Sequence, residues 1–158
     1  MSKATRIVEI GTSIGYSTLW LALGVKTTQG RIISYEIEAA RVAKARSNIE
    51  QAGLSNVVEV RNEDPRRAIL PETDFVFLDA EKQDYIEHFK AISPKIIPGG
   101  IVVADNVFSH EEKLRPYVEY VRTISGYNSI LFPIDRGLEL TYKFVKKEFD
   151  AFKSLFSD

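Results

Sequence analysis

The chain has no cysteine, one methionine and one tryptophan, and its 21 Lys and Arg nearly balance 22 Asp and Glu, for a formal net charge of -1. Each shortage excludes something. Without cysteine there is no disulfide scaffold, no thiolate zinc site and no cysteine nucleophile, so any chemistry must use oxygen, nitrogen or a metal held by oxygen. With no excess of positive charge, and with both signs interleaved, no surface is marked out for neutralising phosphates, and nucleic acid is not an expected partner. No apolar run approaches the ~20 residues that a membrane helix needs, and the opening Met-Ser-Lys-Ala-Thr-Arg lacks an apolar signal region. A cytoplasmic protein with no membrane partner is expected. What is present suits a folded core: 158 residues, 44% of them hydrophobic, with 9 Phe and 7 Tyr. That length corresponds to about one domain, expected over residues 1–158.

Two kinds of segment alternate. Ile7 to Ile10, Arg31 to Tyr35, Val57 to Val60, Phe75 to Leu78 and Ile101 to Ala104 are short, β-branched and bounded by Gly, Asp or Asn, and read as strands. Between them, Tyr16 to Val25, Glu38 to Ala52 and Tyr85 to Ile97 carry helical spacing and end near Gly24, Gly53 and Gly99-Gly100, with a short turn near Arg66 to Leu70. Such alternation predicts an α/β fold: a doubly wound, mostly parallel sheet covered on both faces. A further helix is predicted near Glu112 to Ile124, followed by strands Ser129 to Pro133 and Leu138 to Phe144. Their connection, Ile134 to Gly137, is too short for a parallel crossover, so they should form an antiparallel hairpin at one end of the sheet. In the tail, Phe149, Phe152 and Phe156 stand at helical spacing, packing either on their own domain or across a homodimer contact.

In open α/β sheets ligands sit beyond the carboxyl ends of the strands, where the strand order reverses. The first predicted strand runs into Gly11-Thr12-Ser13-Ile14-Gly15-Tyr16-Ser17, small residues that let backbone approach a ligand at the next helix's N-terminus. Gly11 and Gly15 are four apart, which is not the G-x-G-x-x-G spacing of a dinucleotide fingerprint and disfavours an NAD-dependent oxidoreductase. Glu36, closing the second strand, is placed to accept the two hydroxyls of a ribose, although it could equally open the following helix. Loop and acid together suggest a nucleoside ligand. Adjacent strand ends bring Asp79, Asp105 and the amide of Asn106 together as three hard oxygen donors, a set suited to magnesium, calcium or manganese. Lys82, three residues past Asp79, can reach the same spot and act as a base. Either aspartate alone could be no more than a helix cap. His88 and His110 are expected on solvent-exposed surfaces, and Phe108 at the pocket mouth.

Taken in order, Ile7 to Ser17, Tyr35-Glu36-Ile37, Asp79-Ala80-Glu81-Lys82-Gln83-Asp84-Tyr85, Pro98-Gly99-Gly100, Ala104-Asp105-Asn106-Val107 and Arg136-Gly137-Leu138-Glu139 resemble successive motifs of the metal-dependent O-methyltransferases, the catechol and caffeoyl-CoA group. The resemblance implies S-adenosylmethionine (SAM) binding on a seven-stranded, Rossmann-like class I methyltransferase sheet, and a small hydroxylated aromatic as acceptor. By it Gly11, Thr12, Ser13, Gly15, Tyr16 and Ser17 line the methionine moiety, Glu36 holds the ribose, and Asp64, Asp79 and Ala80 lie near the rest of the cofactor. Asp79, Asp105 and Asn106 would ligate the divalent cation, and Lys82 would be the general base. The family carries several dozen helical residues before its first strand, whereas Gly11 here is ten residues from Met1; the acceptor pocket is therefore expected to be open or completed by a neighbouring subunit. Ser129 to Phe132 also lacks the glutamate that catechol-type enzymes carry before the last turn. A protein that binds the cofactor without turnover is the alternative expectation.

Overall fold

The computed structural model describes residues 3–145 and residue 150; the stripe of Phe149, Phe152 and Phe156 lies outside them. Over residues 3–145, seven strands and four α-helices follow one another as β1 (Arg6–Ile10), α1 (Tyr16–Lys26), β2 (Arg31–Tyr35), α2 (Ala39–Gln51), β3 (Val58–Arg61), β4 (Thr73–Leu78), α3 (Tyr85–Ile92), β5 (Ile96–Asp105), α4 (Glu111–Thr123), β6 (Tyr127–Phe132) and β7 (Leu138–Lys143). They build one sheet in the order β3-β2-β1-β4-β5-β7-β6. The first five strands in that order are parallel, while β7 runs antiparallel to both β5 and β6. This is the expected doubly wound sheet with its terminal hairpin. The chain winds outward from β1 to β3 and returns to β4, so the order reverses between β1 and β4.

Side-chain alternation along each strand divides the core into two layers. Val8 and Ile10 of β1 join the layer built by Tyr85, Phe89 and Ile92 of α3 with Leu114, Tyr117 and Val121 of α4. Ile7 joins the other layer, with Val25 of α1 and Val42, Ala45 and Ile49 of α2. In the first layer Tyr85 packs edge-on against Tyr117, and Phe89 against Tyr117, Tyr120 and Tyr127, which fixes α3 and the polar end of Tyr85 relative to the sheet. At the hairpin the buried Glu139 carboxylate accepts two bonds from Arg122, at 2.7 and 2.8 Å, and one from Ser129 at 2.8 Å, tying α4 to β6 and β7.

Two predicted boundaries are corrected. The helix expected to reach Ile97 stops at Ile92, passes through a 3-10 turn at Ser93–Lys95 and becomes strand at Ile96. Pro94 offers no N–H to continue the ladder, and the chain leaves helical geometry at Ile96, whose ψ is 123°. Pro98-Gly99-Gly100 therefore lies within β5, where the register against β4 slips between Thr73 and Phe75. Gly24, expected near a helix end, is inside α1, which continues to Lys26. Among the described residues no helix is long and apolar enough to cross a membrane.

Candidate active site

The loop after β1 turns at Gly11, whose φ is 102° and whose N–H donates to the Tyr35 carbonyl at 3.0 Å. A Cβ there would stand 2.0 Å from the Asp79 carbonyl oxygen, so the loop passes directly over the end of β4. Ser13 is held at φ 49° while its N–H donates to Glu36 Oε2 at 2.9 Å. Glu36 Oε1 accepts the Glu38 N–H at 3.0 Å, so backbone orients the carboxylate without neutralising it. Gly15 caps α1 at φ 91° and packs on Ala45 of α2.

Beneath the loop lies Glu9, fully buried between the apolar residues Ile7, Val8 and Ile10 of β1. Hydroxyls of Ser17, Thr18 and Ser34 donate to its two oxygens, and Thr12 hydrogen-bonds Ser34 in turn. Burial raises the Glu9 pKa and these hydroxyls oppose the rise. The cluster joins β1, the loop, α1 and β2. Its signal in the sequence was an acid one residue before the end of an apolar strand.

The second half of the site comes from β4 and β5. Lys82 Nζ donates to Asp79 Oδ1 at 2.7 Å and to Tyr85 Oη at 2.9 Å, and Tyr85 Oη donates to the Asp105 carbonyl at 3.2 Å. Burial, with Asp79 and Asp105 nearby, raises the Tyr85 pKa far above the ordinary phenol value, so the hydroxyl stays protonated. Asp105 is also raised, first by burial and then by the negative charge of Asp79; the Asn106 N–H on Oδ1 at 2.6 Å and the Lys82 ammonium oppose this. Asn106 is buried at φ 70°, a backbone state that asparagine tolerates better than most residues. Neither aspartate caps a helix, because α3 is entered at Asp84 and α4 at His110. The loop after Asn106 is stitched to the hairpin turn by Val107 and Phe108 N–H groups donating to the Gly137 and Arg136 carbonyls at 3.0 and 2.8 Å. The Arg136-Gly137 motif thus supports the Asp105-Asn106 strand end through backbone.

Two cavities meet here. The larger, about 590 Å³, opens over the β1–β4 switch and is lined by Gly11, Ser13, Glu36, Ile37, Asp79 and Ala80, with Pro65, Arg66, Asp84 and His88 at its far side. The second, about 490 Å³, shares Gly11, Ser13 and Asp79 and continues past Thr12, Tyr16, Ser17, Trp20 and Phe77 to Asp105. Asp64 lies beside the larger cavity's wall with its carboxylate taken by Arg66, whose Nε and Nη2 donate at 2.9 and 2.8 Å. No group of three or more His, Cys, Asp and Glu side chains placed to hold a metal occurs among the described residues. Asp79 and Asp105 supply two carboxylates, and the third donor expected there is the Asn106 amide.

His88 departs from expectation. It is only 5% exposed and lines the larger cavity, and its Nδ1 is sealed without a hydrogen-bond partner. The sequence carried a usable signal, because His88 occupies the same helical stripe as buried Tyr85, Phe89 and Ile92. Burial, and secondarily Arg66, lower its pKa below the ordinary 6.5. A histidine neutral in the fold but protonated in the unfolded chain withdraws stability as pH falls through 6.5, since the unfolded state then binds the extra proton. Chemical denaturation from pH 7.5 to 5 should show a slope that flattens in His88→Gln; an unchanged slope would clear His88 of this effect.

The strand order reverses between β1 and β4, and the larger cavity lies across that switch point of a doubly wound α/β sheet. Over residues 1–131 the chain matches the sequence model of the O-methyltransferase family, and it belongs to that family. It is 36% identical over 115 residues to a catechol O-methyltransferase of Niastella koreensis, covering 68% of this chain and 51% of the relative. To caffeoyl-CoA O-methyltransferase 5 of Nicotiana tabacum it is 31% identical over 137 residues, covering 76% and 56%. The chain spans about half the length of the curated relatives it matches. Among solved structures, the O-methyltransferase TomG of Streptomyces achromogenes, involved in tomaymycin synthesis and in complex with SAM, superposes with a TM-score of 0.78 at 28% identity, over 90% of this chain and 74% of that one. The O-methyltransferase of Bacillus cereus in complex with S-adenosylhomocysteine (SAH) gives 0.77 at 28%, over 89% and 74%. The sheet is therefore the Rossmann-like methyltransferase fold.

Proposed function

We propose that residues 1–158 form one SAM-dependent methyltransferase domain that methylates a hydroxyl of a small, catechol-like aromatic with the help of a divalent cation. The observation that carries this reading is Asp79, which lines both cavities and accepts from Lys82 at 2.7 Å, with Asp105 on the wall of the second cavity. The larger cavity has the volume of a nucleoside-sized ligand and the backbone-oriented Glu36 carboxylate that ribose hydroxyls require. Gly11, Thr12, Ser13, Gly15, Tyr16 and Ser17 surround the methionyl end, and Asp64 and Ala80 the base end. Trp20, Tyr16 and Phe77 give the second cavity the apolar aromatic wall that a flat acceptor needs.

Methyl transfer from a sulfonium to oxygen is an in-line displacement, so the chain's main task is alignment, worth up to about 7–11 kcal/mol. One oxygen each of Asp79 and Asp105 is engaged, by Lys82 and by the Asn106 N–H, leaving the other oxygen of each and the Asn106 amide as hard donors. That donor set fits magnesium, manganese or calcium, which when bound there would acidify an acceptor hydroxyl. Once its ammonium has given up a proton to solvent, Lys82 takes the hydroxyl proton at Nζ. Tyr85, kept protonated, holds Nζ in place and links it to the end of β5.

Calorimetry with SAM, followed by methylation of catechol and caffeate with magnesium or manganese and again with a chelator, tests the reading. Absence of SAM binding at millimolar ligand would sink it; binding without turnover would leave a cofactor-binding role alone. Asp105→Ala should lower metal-dependent turnover by about 100-fold or more while SAM affinity stays within about threefold. Parallel loss of both would make Asp105 structural.

A further inference from the structure

The two faces of the sheet are covered unequally. On the side of α3 and α4, Val76, Val102 and Thr141 of β4, β5 and β7 are sealed to 1% exposure or less. Their neighbours point the other way. Phe77, Val103, Leu140 and Ile130 stand level across β4, β5, β7 and β6, and residues paired in this manner share a face. This apolar row is half-buried at best: Ile130 is 56% exposed, and Phe132 beyond it 43%. On that side α1 and α2 build their layer on β1, β2 and β3, and among the described residues it takes in nothing from β5, β6 or β7. A parallel sheet is ordinarily covered on both faces, so the strip over β5 and β7 calls for a further layer.

The chain arrives at the base of this face. Strand β7 runs down the sheet from Leu138 to Lys143, and Val145 Cγ2 lies 3.9 Å from where a Cβ on Gly99 would stand. Residues 146–158 follow, of which only Asp150 is described; it is helical and exposed. Helical spacing puts Phe149, Phe152 and Phe156 on one side and Lys147, Asp150, Ser154 and Asp158 on the other. At ~1.5 Å per residue, Phe149 to Phe156 spans about 10 Å, which matches about three residues of strand. That is the height of the face from Ile101 to just beyond Val103.

We propose that residues 146–158 form a helix that turns back at Val145 and lays Phe149, Phe152 and Phe156 on Ile101, Val103 and Leu140, so that the chain covers this face with its own C-terminal segment. The segment is favoured over a second copy because it is tethered beside the face by Lys146, Lys147 and Glu148. So short a tether holds the stripe at millimolar effective concentration, on the order of what a flexible linker provides. Asp150, on the polar side of the helix, stays in solvent, as its exposure requires. Phe77 belongs to the same row and lines the second cavity, so the docked helix also bounds that cavity on the side away from α1.

Nuclear Overhauser spectroscopy on the full wild-type chain tests the placement and needs no variant to fold. Contacts within one molecule are expected from the three phenylalanine rings to Ile101, Val103 and Leu140. Random-coil shifts from Phe149 to Phe156 without such contacts overturn the proposal. So do contacts found only between molecules in a mixture of labelled and unlabelled chains, which would give the face to a second copy. In the full chain, Phe152→Ser should lower Tm by about 4–10 °C and raise the fluorescence of added anilinonaphthalene sulfonate as the face opens. Ser154→Asp, on the outer side of the helix, should change neither. A Phe152→Ser melt no lower than that of Ser154→Asp overturns the proposal as well.

Discussion

Lys82→Ala is expected to lower kcat for methyl transfer by about 100- to 10,000-fold, the span of a general base, with little change in SAM affinity. The side chain is only 13% exposed and is held from two sides, by Asp79 Oδ1 and by Tyr85 Oη. Its Nζ lies 5.1 Å from the Tyr85 ring centroid, so the ring also fixes its approach. Lysine suits the role because its amine can release and take a proton, whereas a guanidinium cannot. Lys82→Arg therefore separates two explanations. If Lys82 moves the proton, arginine should be nearly as inactive as alanine; if it only balances the charges of Asp79 and Asp105, arginine should recover most of the activity. Recovery by arginine, measured as kcat with KM near wild type, would remove Lys82 from the base role.

Gly11→Ala should be the most damaging small substitution in the loop. Its φ of 102° is strained for any residue with a Cβ, and the added carbon would stand 2.0 Å from the Asp79 carbonyl oxygen and 2.6 Å from its carbon. Both are backbone atoms. They cannot retreat without breaking the Asp79 N–H bond to the Ile10 carbonyl at 2.9 Å, which closes the β1–β4 ladder. Left-handed strain and overpacking together cost about 3 kcal/mol or more, on the order of 10 °C in Tm for a domain of this size. The loop must also shift away from both cavities, so SAM affinity should fall along with stability. A thermal melt within about 2 °C of wild type would show that the loop relaxes, and unaltered SAM binding would show that Gly11 does not shape the cavity.

How much of this was legible beforehand depended on whether a property is local. Short β-branched runs and helical spacing are local, and they correctly located every strand and helix core from Ile7 to Leu138. The hairpin followed from the length of Ile134 to Gly137 alone. The strand ends carrying Glu36, Asp79 and Asp105 were legible because an acid closing an apolar strand stands out in a linear pattern. The C-terminal end of α3 was not. Tyr85 to Ile97 keeps an apolar rhythm throughout, yet Pro94 stops the helix and Pro98-Gly99-Gly100 is accommodated by a register slip against β4, which depends on the neighbouring strand.

The sequence by itself determined the alternation of elements, the class of sheet, the polar groups at its strand ends and the absence of thiol chemistry, because those follow from residue type and period. Only the tertiary structure decided which polar groups share a space. Folding placed Glu9 under the loop among three hydroxyls, turned the Asp64 carboxylate toward Arg66, and withdrew His88 from solvent beside an open cavity. The physical reason is that periodicity states which face of an element is covered, while partners for a buried polar atom come from distant segments that meet only when the layers pack.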